Sequence, residues 1–178
     1  ILQKAFLLNL DYHVTAVKAP ALPAVTRQPK LVWLDSGIMN FSADIQTEYL
    51  QSRSLMDVWK GHAAEQIVAQ ELRIVLDRNY RNEQYYWTRD KKGTTAEVDF
   101  VWQNGTEIIP IEVKSGTNAH LRSIHSFMSQ PDAPDKAIRI WPGPYSVDDV
   151  VSPTGYVFRL VNLPFYYVGV IDNVIRAL

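Results

Sequence analysis

The chain has 178 residues, of which 47% are hydrophobic, 11% aromatic and 21% charged, proportions typical of one globular domain and not of a disordered or fibrous chain. It contains no cysteine, which excludes a disulfide framework and a thiolate metal site and favours a reducing, cytoplasmic compartment. Its 18 Lys and Arg residues are balanced by 19 Asp and Glu residues, so no overall positive charge attracts nucleic acid. The longest apolar run, Leu163 to Ile171, is too short to cross a bilayer, so we expect no contact with a membrane.

The first 34 residues do not contain enough apolar pattern for a domain of their own. The segments Tyr12 to Val17 and Lys30 to Asp35 favour short strands, and the second enters a turn at Ser36-Gly37. A strand pair cannot bury its own apolar side chains. We therefore interpret residues 1–34 as the remnant of an upstream segment, or as a strap across a main domain that spans residues 35–178.

A helical pattern extends from Ser54 to about Arg78. Apolar residues recur there at steps of three and four and define one face, and Glu65 lies in the middle of that face. Two interpretations stay open. Glu65 either remains solvated near the first turns of the helix, where it favours the helix dipole, or points into a polar site beneath the helix.

The segment from Tyr85 to Gly116 is the most informative. Asn104-Gly105 is a strong hairpin signal, because a type I′ turn needs positive φ at both central residues. It predicts strands from about Ala96 to Gln103 and from Thr106 to Ser115. Farther along, His120 to Gln130 favours a helix, and Lys136 to Trp141 favours another strand.

A two-residue loop at Asn104-Gly105 sets the pairing of the two strands. It places Asp99 opposite Pro110 and Glu97 opposite Glu112. Because side chains alternate between the two faces, one face is apolar and the other is charged. The apolar face carries Val98, Phe100, Trp102, Ile109, Ile111 and Val113, and the charged face carries Glu97, Asp99, Glu112 and Lys114.

The charged face brings two carboxylates together. Asp99 and Glu112 are diagonal neighbours in this pairing and repel each other as ions. A cation between them removes the conflict, and Mg²⁺ commonly takes one or two carboxylates and keeps several waters, within reach of Lys114. The alternative is an exposed face on which Lys114 simply pairs with Glu112. The nearly continuous apolar run around Glu112 favours a central strand, where an uncompensated charge is costly.

Glu65 on a helix, Asp99 on one hairpin strand and Glu112-Val113-Lys114 on the next resemble the pattern of the PD-(D/E)xK, or restriction-endonuclease-like, superfamily. Val98 stands where the name of the superfamily has proline. More narrowly, the chain resembles the C-terminal domain of a family of predicted bacterial and archaeal AAA+ ATPases, in which a P-loop ATPase and a winged-helix segment come first. The segments that carry this resemblance are, in order, KLVWLDSGI, GHAAEQIVAQEL, YYWTRD, EVDFVW, IIPIEVKSG and AIRIWPG.

The resemblance implies an α/β (α+β) fold with a mixed central sheet and flanking helices. It implies Asp99 and Glu112 as ligands of Mg²⁺ or Mn²⁺, Lys114 as the catalytic lysine, and Glu65 as an acid that reaches the metal directly or through water. The implied activity is nuclease-like hydrolysis of DNA or RNA. The implied partner is an ATPase domain, since this sequence has no G-x-x-x-x-G-K-[ST] motif of its own. The competing hypothesis is a non-catalytic accessory domain that forms homo-oligomers or binds a protein.

Overall fold

The computed structural model describes residues 1–44, 61–78, 83–89, 96–116 and 120–177. The strands in these ranges are β1 (Leu8–Val14), β2 (Lys30–Trp33), β3 (Tyr85–Thr88), β4 (Glu97–Asn104), β5 (Glu107–Val113), β6 (Lys136–Trp141), β7 (Ser146–Val151) and β8 (Val157–Pro164). The helices are α1 (Ser36–Ser42), α2 (His62–Arg78), α3 (Arg122–Met128) and α4 (Ile171–Ala177), with a 3-10 helix over Phe165–Val170. No helix in the described part of the chain is both long and apolar enough to cross a membrane.

The described strands form one sheet of eight, in the order β2-β1-β3-β4-β5-β6-β8-β7. The pairs β1/β3, β5/β6 and β6/β8 are parallel, and the other neighbours are antiparallel. This arrangement confirms the predicted mixed central sheet with flanking helices. The parallel strands β5, β6 and β8 are rich in Ile, Leu and Val and almost fully buried, as expected of strands covered on both faces.

Apolar side chains pack on both faces of this sheet. On one face, Ala64, Val68, Leu72 and Leu76 of α2 pack in a cluster with the hairpin residues Phe100, Trp102, Ile109, Ile111 and Val113. On the other face, Ile124, Phe127 and Met128 of α3 pack with Ile108, Ala137, Phe158 and Leu160. The apolar pattern of the long helix is therefore confirmed over α2. Its predicted beginning at Ser54 lies outside the described residues.

The hairpin of β4 and β5 forms as predicted, but its predicted register is wrong. Asn104 pairs with Glu107, so the two loop residues are Gly105 and Thr106 instead of Asn104 and Gly105. Gly105 has φ of 60° and is the first of the two central residues, which is the position of glycine in a type II′ turn. The change moves each cross-strand partner by two residues, and Phe100 now pairs with Ile111. Because two residues is one full period of a strand, this shift by itself moves no residue to the other face.

A bulge in β4 changes the surroundings of one predicted apolar residue. Tyr85 of β3 pairs with Val101, whereas Trp87 pairs with Val98, so β4 has one extra residue in this stretch. The extra residue interrupts the alternation of side chains. Val98 consequently packs in the α3 cluster and not beside Phe100, which corrects the prediction that the two share a face.

The first 34 residues contribute two strands to the same sheet. β1 pairs with β2 on one side and with β3 on the other, which places β2 at the sheet edge. The predicted turn at Ser36-Gly37 is wrong, because α1 begins there. Oδ1 of Asp35 accepts a hydrogen bond from the backbone N–H of Ile38 at 2.8 Å and caps this helix. The assignment of residues 1–34 to an upstream segment stays a prediction.

Candidate functional site

The carboxyl end of β5 brings together residues from three elements. Glu112 is the second-last residue of that strand, and Lys114 is the first residue after the strand. Asp99 comes from the bulged part of β4, and Glu65 comes from the first turn of α2. The hairpin fixes β4 beside β5, and Glu65 lies in the first turn of α2, which packs over the hairpin. The four residues named from the sequence therefore lie in one cluster.

Glu112 is the most enclosed acid of the cluster, with 4% of its surface exposed. Its Oε1 accepts a hydrogen bond from Nζ of Lys114 at 2.6 Å. Its Oε2 is buried and has no hydrogen-bond partner among the described residues. Burial, followed by the charge of Asp99, raises the pKa of Glu112 to about 7, although Lys114 opposes the shift. One oxygen of this carboxyl therefore lacks the partner that a buried acid normally has.

Arg139 is the register neighbour of Glu112 on β6 and is the obvious candidate to satisfy that oxygen. Its guanidinium instead lies over the ring of Trp141, 4.2 Å from the ring centroid. Burial lowers the pKa of Arg139, and the nearby charge of Asp148 opposes that shift. Arg139 therefore does not satisfy Oε2 of Glu112, which has no hydrogen-bond partner among the described residues.

Asp99 is held against the end of β5 by its own side chain. Its Oδ2 accepts a hydrogen bond from the backbone N–H of Val113 at 2.8 Å. Burial raises the pKa of Asp99 above its usual value, while Lys30 and this backbone N–H lower it. Val113 directly follows Glu112, so this hydrogen bond holds the Asp99 carboxyl close to Glu112. This proximity explains why the charge of Asp99 also raises the pKa of Glu112.

Lys30 of β2 is a member of the cluster that the sequence analysis missed. Its Nζ lies 2.7 Å from Oε1 of Glu97, 3.8 Å from Oδ1 of Asp99 and 3.9 Å from Oε2 of Glu65. Burial lowers the pKa of Lys30, but the carboxylates of Asp99, Glu97 and Glu65 more than compensate and raise it. The segment KLVWLDSGI was part of the family resemblance, so its lysine was available as a candidate. Nothing within that segment indicates that β2 reaches the acidic residues, which are more than 30 positions away in the chain.

Glu65 faces the cluster and not open solvent. About a third of its side chain is exposed, and its carboxyl lies within ion-pair distance of Lys30. Burial, followed by the charge of Asp99, raises its pKa. Of the two interpretations left open by the sequence, the geometry favours the one in which α2 directs Glu65 into a polar site.

The cluster contains more acidic groups than basic groups. Four carboxyls, those of Glu65, Glu97, Asp99 and Glu112, face two ammonium groups, so two negative charges remain when all are ionised. Across the described ranges, no three His, Cys, Asp or Glu side chains are grouped closely enough to hold a metal ion by themselves. The pair of Asp99 and Glu112, with the unpartnered Oε2, fits Mg²⁺, which commonly binds one or two carboxylates and keeps several waters.

Two surface cavities lie elsewhere on the molecule. One, of about 510 Å³, is lined by residues near the hairpin turn, including Tyr85, Trp102 and Gly105. The other, of about 900 Å³, lies between α2 and the outer strands and includes Trp33 and Arg73. Neither contains a carboxylate of the cluster. The assignment of the site therefore depends on the chemistry of its side chains and not on the size of a cavity.

Comparison with known proteins identifies a family but no activity. A family model described as "Domain of unknown function (DUF4143)" matches residues 60–164, a range that contains Glu65, Asp99, Glu112 and Lys114 and excludes Lys30. No curated protein matches the chain, and no solved structure matches it.

Proposed function

The chain belongs to the DUF4143 family, whose function is unknown, and we propose that it is a Mg²⁺-dependent nuclease-like domain that hydrolyses phosphodiester bonds of DNA or RNA. One observation carries the proposal: Glu112 is buried beside Asp99, is bound by Lys114 through one oxygen, and has its other oxygen without a partner among the described residues. A carboxylate pair next to a lysine is the arrangement that the resemblance to the PD-(D/E)xK superfamily implies.

Each residue of the cluster has a role in this proposal. Asp99 and Glu112 would hold Mg²⁺ or Mn²⁺, and Glu65 would reach the ion through water. When bound, the ion acts as a Lewis acid and lowers the pKa of a water molecule. Lys114 orients the attacking water and neutralises the negative charge that develops on the phosphate oxygens in the transition state. Its ammonium is suited to this because its hydrogen bond to Glu112 fixes its position.

The cellular context is part of the same proposal. The resemblance to the C-terminal domains of predicted AAA+ ATPases suggests that an ATPase domain works together with this one. A nuclease coupled to such a motor would act on nucleic acid that the motor delivers. The near-neutral net charge of −1 agrees with delivery of nucleic acid by the motor, because this domain has no overall positive charge with which to bind nucleic acid alone.

The proposal is tested through Lys114. Wild type and Lys114→Ala are incubated with single-stranded and duplex DNA and RNA in the presence of Mn²⁺ or Mg²⁺, and cleavage rates are measured. Loss of a preorganised electrostatic donor is expected to lower the rate on the order of a hundredfold or more. Lys136→Ala is the matched control, because Lys136 pairs with Glu107 and Asp135 outside the cluster. Equal cleavage by wild type and Lys114→Ala would indicate a contaminant and would contradict the proposal.

A second candidate is a non-catalytic assembly domain, and one surface feature favours it. Tyr145, Tyr166 and Tyr167 lie close together, and the side chain of Tyr166 is 82% exposed. Exposed aromatic groups of this kind are enriched at protein interfaces. If assembly is the function, Tyr166→Ser will reduce the size of the wild-type particle in sedimentation, and no metal-dependent cleavage will be found. A monomeric wild type would exclude homo-oligomerisation through this surface.

A further inference from the structure

Lys30 occupies an unusual position for a lysine on an edge strand. Its ammonium is surrounded by the carboxyls of Glu97, Asp99 and Glu65 at 2.7, 3.8 and 3.9 Å. The ammonium also lies over the ring of Tyr86, with Nζ 5.0 Å from the ring centroid. Only 27% of the Lys30 side chain is exposed. An exposed lysine of an edge strand typically points into solvent, whereas this one is held at the centre of an acidic group.

Two of the three carboxyls around Nζ lie at the distance that they would have from a hydrated divalent cation. A carboxylate that reaches Mg²⁺ or Mn²⁺ through one of its waters lies on the order of 4 Å from the ion, because these ions keep several waters. The distances from Nζ to Asp99 and Glu65 fall at this value. The two oxygens of Asp99 also face different partners: Oδ1 lies 3.8 Å from Nζ of Lys30, and Oδ2 accepts a hydrogen bond from the backbone N–H of Val113, between Glu112 and Lys114 in the chain. A carboxylate in this middle position is the group that bridges the two ions in two-metal sites.

We infer that the ammonium of Lys30 stands in the place of a second metal ion, so that the site takes one divalent cation per chain, on the side of Glu112. The inference rests on the proposed metal site at Asp99 and Glu112. It assigns to Lys30 the role of a tethered cation that neutralises Glu97, Glu65 and one side of Asp99. Lys30 is a positioning residue in this account, because it acts on the site through these carboxyls.

Two lysines then lie near the proposed ion, and they pair with different carboxyls. Lys114 pairs with Glu112, the carboxyl proposed to bind the ion. Lys30 pairs most closely with Glu97, which lies outside the proposed ligand pair. Removing Lys30 leaves three neighbouring carboxyls without their cation. A second divalent ion is the natural replacement, since repulsion among these carboxyls is relieved by positive charge.

The number of bound ions tests the inference directly. The concentration of free Mn²⁺ is measured by electron paramagnetic resonance during titration of the full chain, for wild type, Lys30→Met, Lys30→Arg and Lys136→Met. The inference predicts one Mn²⁺ per chain for wild type and two for Lys30→Met. Lys30→Arg keeps the positive charge and should retain one ion. Lys136→Met, which removes a lysine outside the site, should also retain one.

The outcomes separate this inference from the proposed function. Two ions bound by wild type, or the same number bound by wild type and Lys30→Met, would overturn the role of Lys30. No ion in wild type and one in Lys30→Met would support the role of Lys30 and would contradict the proposed wild-type metal site. No ion in either protein would overturn both. If Lys30→Met does not fold, as judged by circular dichroism, the counts for wild type and Lys30→Arg still decide, because two ions in either contradict the inference.

Discussion

Asp11 and Glu112 are both buried carboxyls with one oxygen that has no hydrogen-bond partner among the described residues, and burial raises the pKa of each to about 7. Their neighbours differ. Oδ1 of Asp11 accepts a hydrogen bond from the amide of Asn9, and its charged neighbours, Arg73 and Lys30, are cations. Glu112 is bound by a lysine and faces other carboxyls. A raised pKa alone therefore does not define a site. Glu112 differs from Asp11 because a second carboxyl, that of Asp99, lies near it, and a cation would relieve the repulsion between the two.

The largest expected effect is on the cleavage rate, which should depend on Glu112 and not on Asp11. Glu112→Gln removes a charged metal ligand and is expected to lower metal-dependent cleavage on the order of a hundredfold or more. Asp11→Asn makes the same chemical change in an equally buried carboxyl and is expected to leave the rate unchanged. The measurement is the cleavage rate of both variants with Mn²⁺. Equal loss of activity in the two variants would mean that the cleavage rate depends on a buried carboxyl in general and not on the acidic cluster.

The next effect concerns the pH dependence of stability at Asp11. Its pKa is 3.8 in the unfolded chain and about 7 in the native state. Between these values the unfolded chain is ionised while the native state keeps its proton, so the free energy of unfolding decreases as the pH rises through this window. Asp11→Asn cannot ionise, so we expect it to be more stable than wild type at pH 8, on the order of 2–4 kcal/mol.

Urea denaturation at pH 4 and at pH 8 checks this prediction. The stabilisation of Asp11→Asn should be small at pH 4, because the native carboxyl is protonated there and the unfolded carboxyl is only partly ionised. Arg73 of α2 and Lys30 of β2 are the cations that act on Asp11, and their attraction is already part of its native pKa. A variant that is equally stable or less stable than wild type at pH 8 would show that these cations fully compensate for burial.

A smaller effect is expected on thermal stability when metal is added. An ion that binds only the native state at about ten times its dissociation constant contributes about 1.4 kcal/mol, which raises the melting temperature by about 3 °C in a domain of this size. Asp99→Asn should abolish the rise, while Asp11→Asn should keep it. Differential scanning calorimetry with and without Mn²⁺ measures both. An identical rise in Asp99→Asn would locate the ion elsewhere.

The smallest effect tests the turn that positions the hairpin. Gly105 has φ of 60°, so Gly105→Ala is expected to lower the free energy of unfolding by about 1 kcal/mol. Gly116→Ala is the matched control, because Gly116 does not have this positive φ and, among the described residues other than its chain neighbours, no atom lies within 4 Å of the added methyl group. Urea denaturation of the two variants compares them. Equal stability of Gly105→Ala and wild type would contradict the observed turn.

Much of this architecture follows from local patterns in the sequence. The strand predicted over Lys136 to Trp141 has the observed bounds of β6, and the apolar steps of α2 indicate the face that packs on the sheet. The predicted faces of β5, and of β4 from Phe100 onward, depend only on the alternation of side chains, so a register error of two residues did not change them. These features need no information from distant parts of the chain.

Features that depend on distant partners were not predicted. The bulge in β4 arises in its pairing with β3, so no pattern within β4 indicated that Val98 would change sides. Lys30 reaches Glu97 and Asp99 only because β1 and β2 join the sheet beyond β3. The sequence Ser36-Gly37 is compatible with a turn and with the start of a helix, and the hydrogen bond from Ile38 to the side chain of Asp35 stabilises the helix. The lysine that completes the acidic cluster was therefore the hardest residue of the site to find.

Anomalous diffraction from a crystal soaked in millimolar Mn²⁺ tests the proposed metal site most directly. The account predicts a Mn²⁺ peak about 2.2 Å from carboxylate oxygens of Asp99 and Glu112, including the Oε2 that has no partner among the described residues. Lys30 should remain between Glu97 and Asp99. A crystal with no Mn²⁺ at this pair, or with Mn²⁺ bound only at other carboxylates, would contradict the account.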